Sequence, residues 1–188
     1  MSERICPWWL GYLLASPLRR LLQNPEDILT PHVKPGMTVL DMGCAMGFFS
    51  LPMARLVGAD GRVIAVDLQE KMIRSLRRRM TTAGLSARIE TRNCTSGSLA
   101  IDDLAEGIDF ALAFAVLHEM PDIRRALASI CRSLRPGGRL LIAEPAGHVS
   151  EKEFRQTTAI AIELGLDVVD SPRIHRSRSA LLSKKSNH

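Results

Sequence analysis

The chain has 188 residues, enough for one domain with a sizeable core. Apolar residues make up 46% and charged residues 24%, which excludes a disordered, collagen-like or coiled-coil chain. The formal charge of +5 admits an acidic partner, but the basic residues are scattered and only 4% of residues are aromatic, so nucleic acid is not the expected partner.

Four cysteines (Cys6, Cys44, Cys94 and Cys131) are widely spaced and form no CxxC pair. Neither a disulfide framework nor a zinc site is expected, and no other metal cluster is visible. A reducing compartment, the cytoplasm, is the simplest home. Residues 5–15 are apolar and follow Arg4, as in a short signal-peptide core. Pro7 interrupts that run, Glu3 sits in the supposed basic region, and Pro17, Arg19 and Arg20 end it too early to span a bilayer. It reads better as an amphipathic helix with Trp9, Leu13, Leu14, Leu18 and Leu21 on one side. Residues 1–32 are therefore expected to form a helical lid and residues 33–188 the core of a single domain.

From about residue 37 short apolar runs alternate with helical patterns, which predicts an open parallel sheet. Lys34-Pro35-Gly36 is a turn feeding a strand over 37–41, followed by a Gly-rich loop and a helix over 47–57. A second strand over 63–66 ends on Asp67, and a helix over 69–83 carries Met72, Ile73, Leu76 and Met80 on one face. A short polar third strand is placed near 87–91. Residues 108–115 form the most apolar run and predict a central strand. A helix over 122–134 stops at Arg135-Pro136-Gly137-Gly138, and a fifth strand covers 139–143. Ser150 with Glu153 predicts a capping box opening a helix to Leu164-Gly165. Strands near 167–170 and 178–183 complete the sheet. The predicted class is α/β, a Rossmann-like doubly wound sheet, mostly parallel with an antiparallel C-terminal strand, plus the N-terminal helical segment.

Residues 39–47, Val-Leu-Asp-Met-Gly-Cys-Ala-Met-Gly, join the first strand to the first helix. Small residues at Gly43, Ala45 and Gly47 let the backbone approach a ligand where a side chain would collide. The helix N-terminus that follows suits a carboxylate or polar group. Asp67, at the end of the second strand, can accept from both hydroxyls of a ribose. The order strand, loop, helix, strand, acid sharpens an otherwise weak glycine signal. Gly43-x-Ala45-x-Gly47 is not the GxGxxG of dinucleotide sites, and Asp41 at the mouth of the loop would crowd a pyrophosphate. S-adenosylmethionine has no phosphate and carries two cations, so an acid there favours it. The alternatives are a loop that merely packs helix on sheet, and Asp67 as a bare helix cap.

VLDMGCAMGFFSLPMA, VIAVDLQEKMI, DFALAFAVLHEM and LRPGGRLLIAE resemble, in order, the successive motifs of class I S-adenosylmethionine-dependent methyltransferases. The similarity is greatest to the small-molecule branch that includes the ubiquinone/menaquinone methyltransferases, over residues 33 to 145. The resemblance implies that the backbone of Gly43, Cys44 and Ala45 holds the methionine part of the cofactor and Asp67 the ribose. It implies that Leu68 packs on the adenine, that Cys94 and Thr95 flank its edge, and that Phe114 neighbours the methionine chain. Two positions depart from the pattern. Ala45 stands where glycine is usual, and the acid or amide usual after the third strand is absent unless Asn93 or Thr95 substitutes.

Methyl transfer is an in-line displacement served by positioning and by exclusion of water, with a base where the acceptor must lose a proton. His118-Glu119 follows the fourth strand at the carboxyl edge where open α/β sheets bind ligands. His118 is the candidate base and substrate contact, with Glu119 beside it. The alternatives are a histidine that caps the next helix or bonds backbone, and a Glu119 that faces solvent. Trp8 and Trp9 are candidates for an apolar substrate wall; as alternatives they anchor the helix or make a dimer contact. His32, His148, His175 and His188 read as surface or loop residues. The expected partner is a small-molecule methyl acceptor, with a homodimer open. Competing readings are a non-catalytic cofactor-binding module, an RNA or protein methyltransferase suggested by charge alone, and a nicotinamide oxidoreductase. No motif names the acceptor.

Overall fold

The computed structural model describes residues 23–186. The amphipathic N-terminal segment, Trp8, Trp9, Cys6 and His188 lie outside the described residues. Of the expected helical lid, the described part is a short helix α1 (Pro25–Leu29). Asn24 caps it by accepting from Glu26 N–H at 3.2 Å, Pro25 occupies the first turn, and Leu29 is buried.

The remaining elements follow in chain order: β1 (Thr38–Met42), α2 (Ser50–Leu56), β2 (Arg62–Asp67), α3 (Glu70–Thr82), β3 (Ile89–Asn93), β4 (Ile108–Phe114), α4 (Ile123–Ser133), β5 (Leu134–Pro145), α5 (Glu151–Glu163), β6 (Leu166–Asp170) and β7 (Ser177–Lys184). They build a seven-stranded sheet in the order β3-β2-β1-β4-β5-β7-β6. Strand β7 runs antiparallel to both neighbours, and the other pairings are parallel.

Alternation along the strands decides which helices cover which face. Leu40, Met42, Ile64, Val66, Ala111, Ala113, Leu140 and Ile142 join one core cluster with Leu127 and Ile130 of α4 and Ala161 of α5. The intervening Val39, Val63, Ala65, Phe110, Leu112, Leu141 and Ala143 join the other, with Leu29 of α1, Met53 of α2 and Ile73 and Leu76 of α3. The central strands are buried on both sides, so their sequences read as continuous apolar runs.

Three boundaries differ from the sequence expectation. Helix α2 begins at Ser50, three residues later than predicted. Gly43 (φ +73), Ala45 (φ +46) and Gly47 (φ +84) take left-handed backbone, and a right-handed helix cannot include them, so it starts only beyond Gly47. Strand β3 lies two residues downstream of its predicted place and ends on Asn93. The Arg135-Pro136-Gly137-Gly138 stretch is not a break: β5 passes through it from Leu134 to Pro145. The register jumps from Ile108↔Leu134 to Phe110↔Arg139, so the extra residues bulge out of the ladder. A Cβ at Gly138 would lie 2.9 Å from the Ile108 carbonyl oxygen, which makes glycine necessary there. Asp109 ties the bulge down, pairing with Arg135 at 2.7 Å and accepting from Thr38 N–H at 2.7 Å.

Candidate functional site

The carboxyl ends of β1, β2, β4 and β5 come side by side. Register pairs Met42 with Val66 and with Ala113, and Phe114 with Ala143. Parallel strands spaced by one ladder therefore deliver Asp41, Asp67, Phe114 and Glu144 to one edge of the sheet.

The loop after β1 is held from below. Gly43 and Cys44 both donate to the Val66 carbonyl, at 2.9 and 3.0 Å. A Cβ at Gly43 would lie 2.5 Å from a methyl of Val116, and one at Gly47 would lie 2.4 Å from a methyl of Leu76. The two glycines thus serve close packing against the next turn and against α3, besides supplying the left-handed backbone. Ala45 adopts the same conformation with a side chain, at a cost of about 1–2 kcal/mol. Its N–H donates to Asp67 Oδ2 at 2.8 Å.

Asp67 is nearly buried, and Oδ1 also accepts from Gln69 N–H at 2.8 Å. It therefore braces the chain entering α3, whose cap residue Gln69 makes no side-chain cap bond, and fastens the loop at once. Each oxygen keeps a second lone pair for a hydroxyl donor. Burial pushes its pKa up, against the pull of the two N–H bonds. Leu68 beside it is 42% exposed, an apolar residue left open at the carboxyl edge of the sheet. Asn93 donates to the carbonyls of Asp67 and Leu68, both at 2.9 Å, so the amide that ends β3 braces the backbone of this corner. Cys94 N–H adds a bond to Asp67 O at 3.0 Å, while Thr95 sits exposed in a tight turn with Ser98.

Asp41 is placed differently from expectation. It is 2% exposed, beneath the loop and not at its mouth, and accepts from Ser50 Oγ at 2.5 Å. Burial raises its pKa to about 7, with the Asp67 charge adding to the rise and the Ser50 bond opposing it. Near neutrality it is only partly ionised, so its attraction for a cation is weaker than a free carboxylate's. Burial also pushes the Cys44 thiol well above its ordinary range and the Cys94 thiol to about 11, which marks both as packing groups and not nucleophiles. Phe114 packs on Phe49 with ring centroids 4.6 Å apart.

The turn after β4 begins with Ala115 at φ +54 and leads to His118. His118 neither caps α4 nor bonds backbone through Nδ1; that atom contacts Glu144 Oε2 at the end of β5. Asp122 caps α4 instead, accepting from Arg125 N–H at 2.9 Å. Glu144 is 2% exposed, and its Oε1 accepts from Leu117 N–H at 2.9 Å. The Glu144 bond raises the His118 pKa against desolvation. Glu119 is an exposed residue whose carboxylate lies 3.9 Å from His118 Nε2, so it borders the histidine while remaining open to solvent. Glu144 and Ser50 carry no role in the sequence reading. The signal for Glu144 was a lone acid closing the apolar run Leu140-Leu141-Ile142-Ala143, as Asp67 closes its own strand.

His32 lies in the turn after α1, as a loop residue, but it is partly buried: it stacks on Phe110 at 5.6 Å and burial lowers its pKa. Among the described residues no group of three or more histidines, cysteines or acids could hold a metal ion, and no helix is long and apolar enough to cross a membrane.

Comparison with known proteins agrees with this geometry. A family model described as a methyltransferase domain matches residues 33–176. The chain is 33% identical over 133 residues to a ubiquinone/menaquinone biosynthesis C-methyltransferase of Marinomonas sp., covering 70% of this chain and 51% of that protein. It is 38% identical over 112 residues to an uncharacterized 37.1 kDa protein in transposon TN4556 of Streptomyces fradiae, covering 60% of this chain and 31% of that protein. The chain thus spans about half or less of the length of these relatives. A solved S-adenosylmethionine-dependent methyltransferase from Aquifex aeolicus superposes with a TM-score of 0.83 at 22% identity, over 95% of this chain and 98% of that one. A similar structure from Methanococcus maripaludis gives 0.78 at 16% identity, over 100% of this chain and 99% of that one. These two likenesses show the fold, and the family match over residues 33–176 shows that the chain belongs to the class I S-adenosylmethionine-dependent methyltransferases.

Proposed function

We propose that this chain transfers a methyl group from S-adenosylmethionine to a small-molecule acceptor. The observation that carries the reading is Asp67: a nearly buried carboxylate locked to the Ala45 and Gln69 N–H groups, beside an exposed leucine. An acceptor-only group next to an open apolar side chain suits the ribose and base of a nucleoside. The loop fits the rest of the cofactor, because Gly43, Ala45 and Gly47 carry little or no side chain and Asp41 beneath supplies a carboxyl that ionises near neutrality. Asp67 would hold the ribose, Leu68 the base, Cys94 and Thr95 its edge, and Gly43, Cys44, Ala45 and Phe114 the methionine end.

The cofactor, when bound, supplies a methyl carbon on a sulfonium that leaves as a neutral thioether. The protein's part is to hold the acceptor in line, exclude water and take a proton where the acceptor has one to lose. His118, 25% exposed in its side chain at the same sheet edge, is the group for that proton, with Glu119 alongside. The name of the Marinomonas relative, a C-methyltransferase of quinone biosynthesis, supports a small organic acceptor here. The three described cysteines are free thiols, which suits the cytoplasm.

Calorimetry with S-adenosylhomocysteine tests the reading. Asp67→Ala is expected to weaken binding by about 30-fold, roughly 2 kcal/mol, the scale of hydrogen bonds to a charged group. Asp67→Asn, which keeps one acceptor, should lose less. Unchanged affinity in Asp67→Ala would remove the cofactor assignment.

A further inference from the structure

We propose that Glu144 is a positioning residue for methyl transfer: it holds His118 in the tautomer protonated at Nδ1, leaving the Nε2 lone pair to take a proton from the acceptor. The inference rests on the reading of His118 as the base. Glu144 is the last residue but one of β5, 26 residues from His118 in sequence, and reaches it across the β4–β5 pairing. Its side chain is 2% exposed, whereas that of His118 is 25% exposed, so the contact is made on the inner side of the ring. Leu117 N–H at 2.9 Å occupies Oε1 and sets the plane of the carboxylate, which leaves Oε2 for Nδ1.

An ionised carboxylate can only accept, so a neutral imidazole facing it must carry its hydrogen on Nδ1. Nε2 lies 3.9 Å from the Glu119 carboxylate, beyond hydrogen-bond length. Glu144 from β5, Glu119 from the same turn and His148, whose ring centroid is 6.3 Å away, are the titratable groups placed against His118. The two acids favour the imidazolium, chiefly through the Glu144 bond.

The proton balance names the acceptor class. The acceptor's proton passes to Nε2, the ring becomes an imidazolium balanced by Glu144, and the acceptor keeps the electron pair that attacks carbon. The proton returns to water after the product leaves. Such a site serves acceptors with a dissociable proton (a phenol, an alcohol, an N–H or an acidic C–H), and does nothing for a tertiary amine or a thioether.

The test is a pH titration of the ligand-free full chain, labelled with nitrogen-15 in its imidazoles and read by NMR. Above its titration midpoint His118 is expected as the Nδ1–H form. Glu144→Gln keeps the shape and the acceptor for Leu117 N–H but presents an amide donor to Nδ1. It should switch the ring to Nε2–H and lower its midpoint. With an acceptor that the wild type methylates, this variant should lose about 100-fold in kcat, the scale of base catalysis, with S-adenosylhomocysteine affinity within about twofold. An Nε2–H form in the wild type, or an unchanged tautomer and midpoint in Glu144→Gln, overturns the proposal. The wild-type titration decides the tautomer even if the variant fails to fold. Full turnover in His118→Ala would instead sink the base itself, and with it the catalytic meaning of the pair, while the NMR result stood.

Discussion

At the scale of single residues, two groups beside the loop carry opposing demands of stability and binding. Asp41 binds its proton more tightly in the native state than in the unfolded chain, since burial raises its pKa from 3.8 to about 7. Between those values the native state holds more protons, so this group's contribution to stability falls as pH rises from about 4 to about 7 and then levels off. Asp67, also raised, acts in the same direction. Asp41→Asn keeps the shape and cannot ionise. Denaturant melts at pH 5 and pH 8 should show a smaller difference for the variant than for wild type, together with weaker cofactor binding in the variant. An unaltered pH slope would mean that Asp41 ionises normally. Ala45 poses the second case. Its left-handed backbone costs about 1–2 kcal/mol, whereas glycine there loses about 0.5–1 kcal/mol more chain entropy on folding. Ala45→Gly should therefore gain about 0.5 kcal/mol in chemical denaturation and should not weaken S-adenosylhomocysteine binding. A loss above about 1 kcal/mol would show that the Ala45 methyl packs usefully.

Among the elements, helix α5 carries the clearest local stop and start. Ser150 Oγ accepts from Glu153 N–H at 3.2 Å while Glu153 accepts from Ser150 N–H at 2.8 Å, a reciprocal pair that satisfies two donors at the helix start. The glutamate is fully exposed, and its pKa is lowered first by the Ser150 hydroxyl, which donates to its carboxylate at 2.6 Å, and then by the Ser150 N–H. Ser150→Ala should cost about 1 kcal/mol of unfolding free energy, a thermal shift of a few degrees, with cofactor binding unchanged. Both partners lie four positions apart or fewer, which is why this cap was legible in the sequence. The β5 bulge was not. Pro136-Gly137-Gly138 has the chemistry of a turn, and distant partners keep the segment inside the ladder: Asp109, which holds Arg135 on one side and Thr38 N–H on the other, and Lys184, which donates to the Leu134 carbonyl at 2.7 Å.

For the whole molecule, the last strand is the keystone of one half of the sheet. Strand β7 pairs with β5 over seven positions and with β6 on its other side, and Ala180, Leu181 and Leu182 are buried. Removing residues 177–188 would expose the edge of β5 and leave β6 without a partner. The shortened chain is expected to lose cooperative unfolding by circular dichroism and to aggregate. A cooperative melt near the wild-type temperature would show that β1 to β5 suffice. The candidate site depends on this as well, because Glu144 lies on the strand that β7 covers, paired with Arg178.

What the sequence by itself determined is whatever is written in near neighbours: the two-residue alternation that assigns strand faces, the Gly43-Ala45-Gly47 bend, the acid that closes β2, and the capping box. Each is a matter of local sterics and of which side of a strand an apolar residue occupies. Tertiary structure alone decided the pairings between distant residues. Asp41 was placed at a loop mouth by position but is buried against Ser50, and Glu144 meets His118 only because β4 and β5 lie side by side in a particular register. Register is a property of the assembled sheet, and a residue's partner across it leaves no mark on its own stretch of chain.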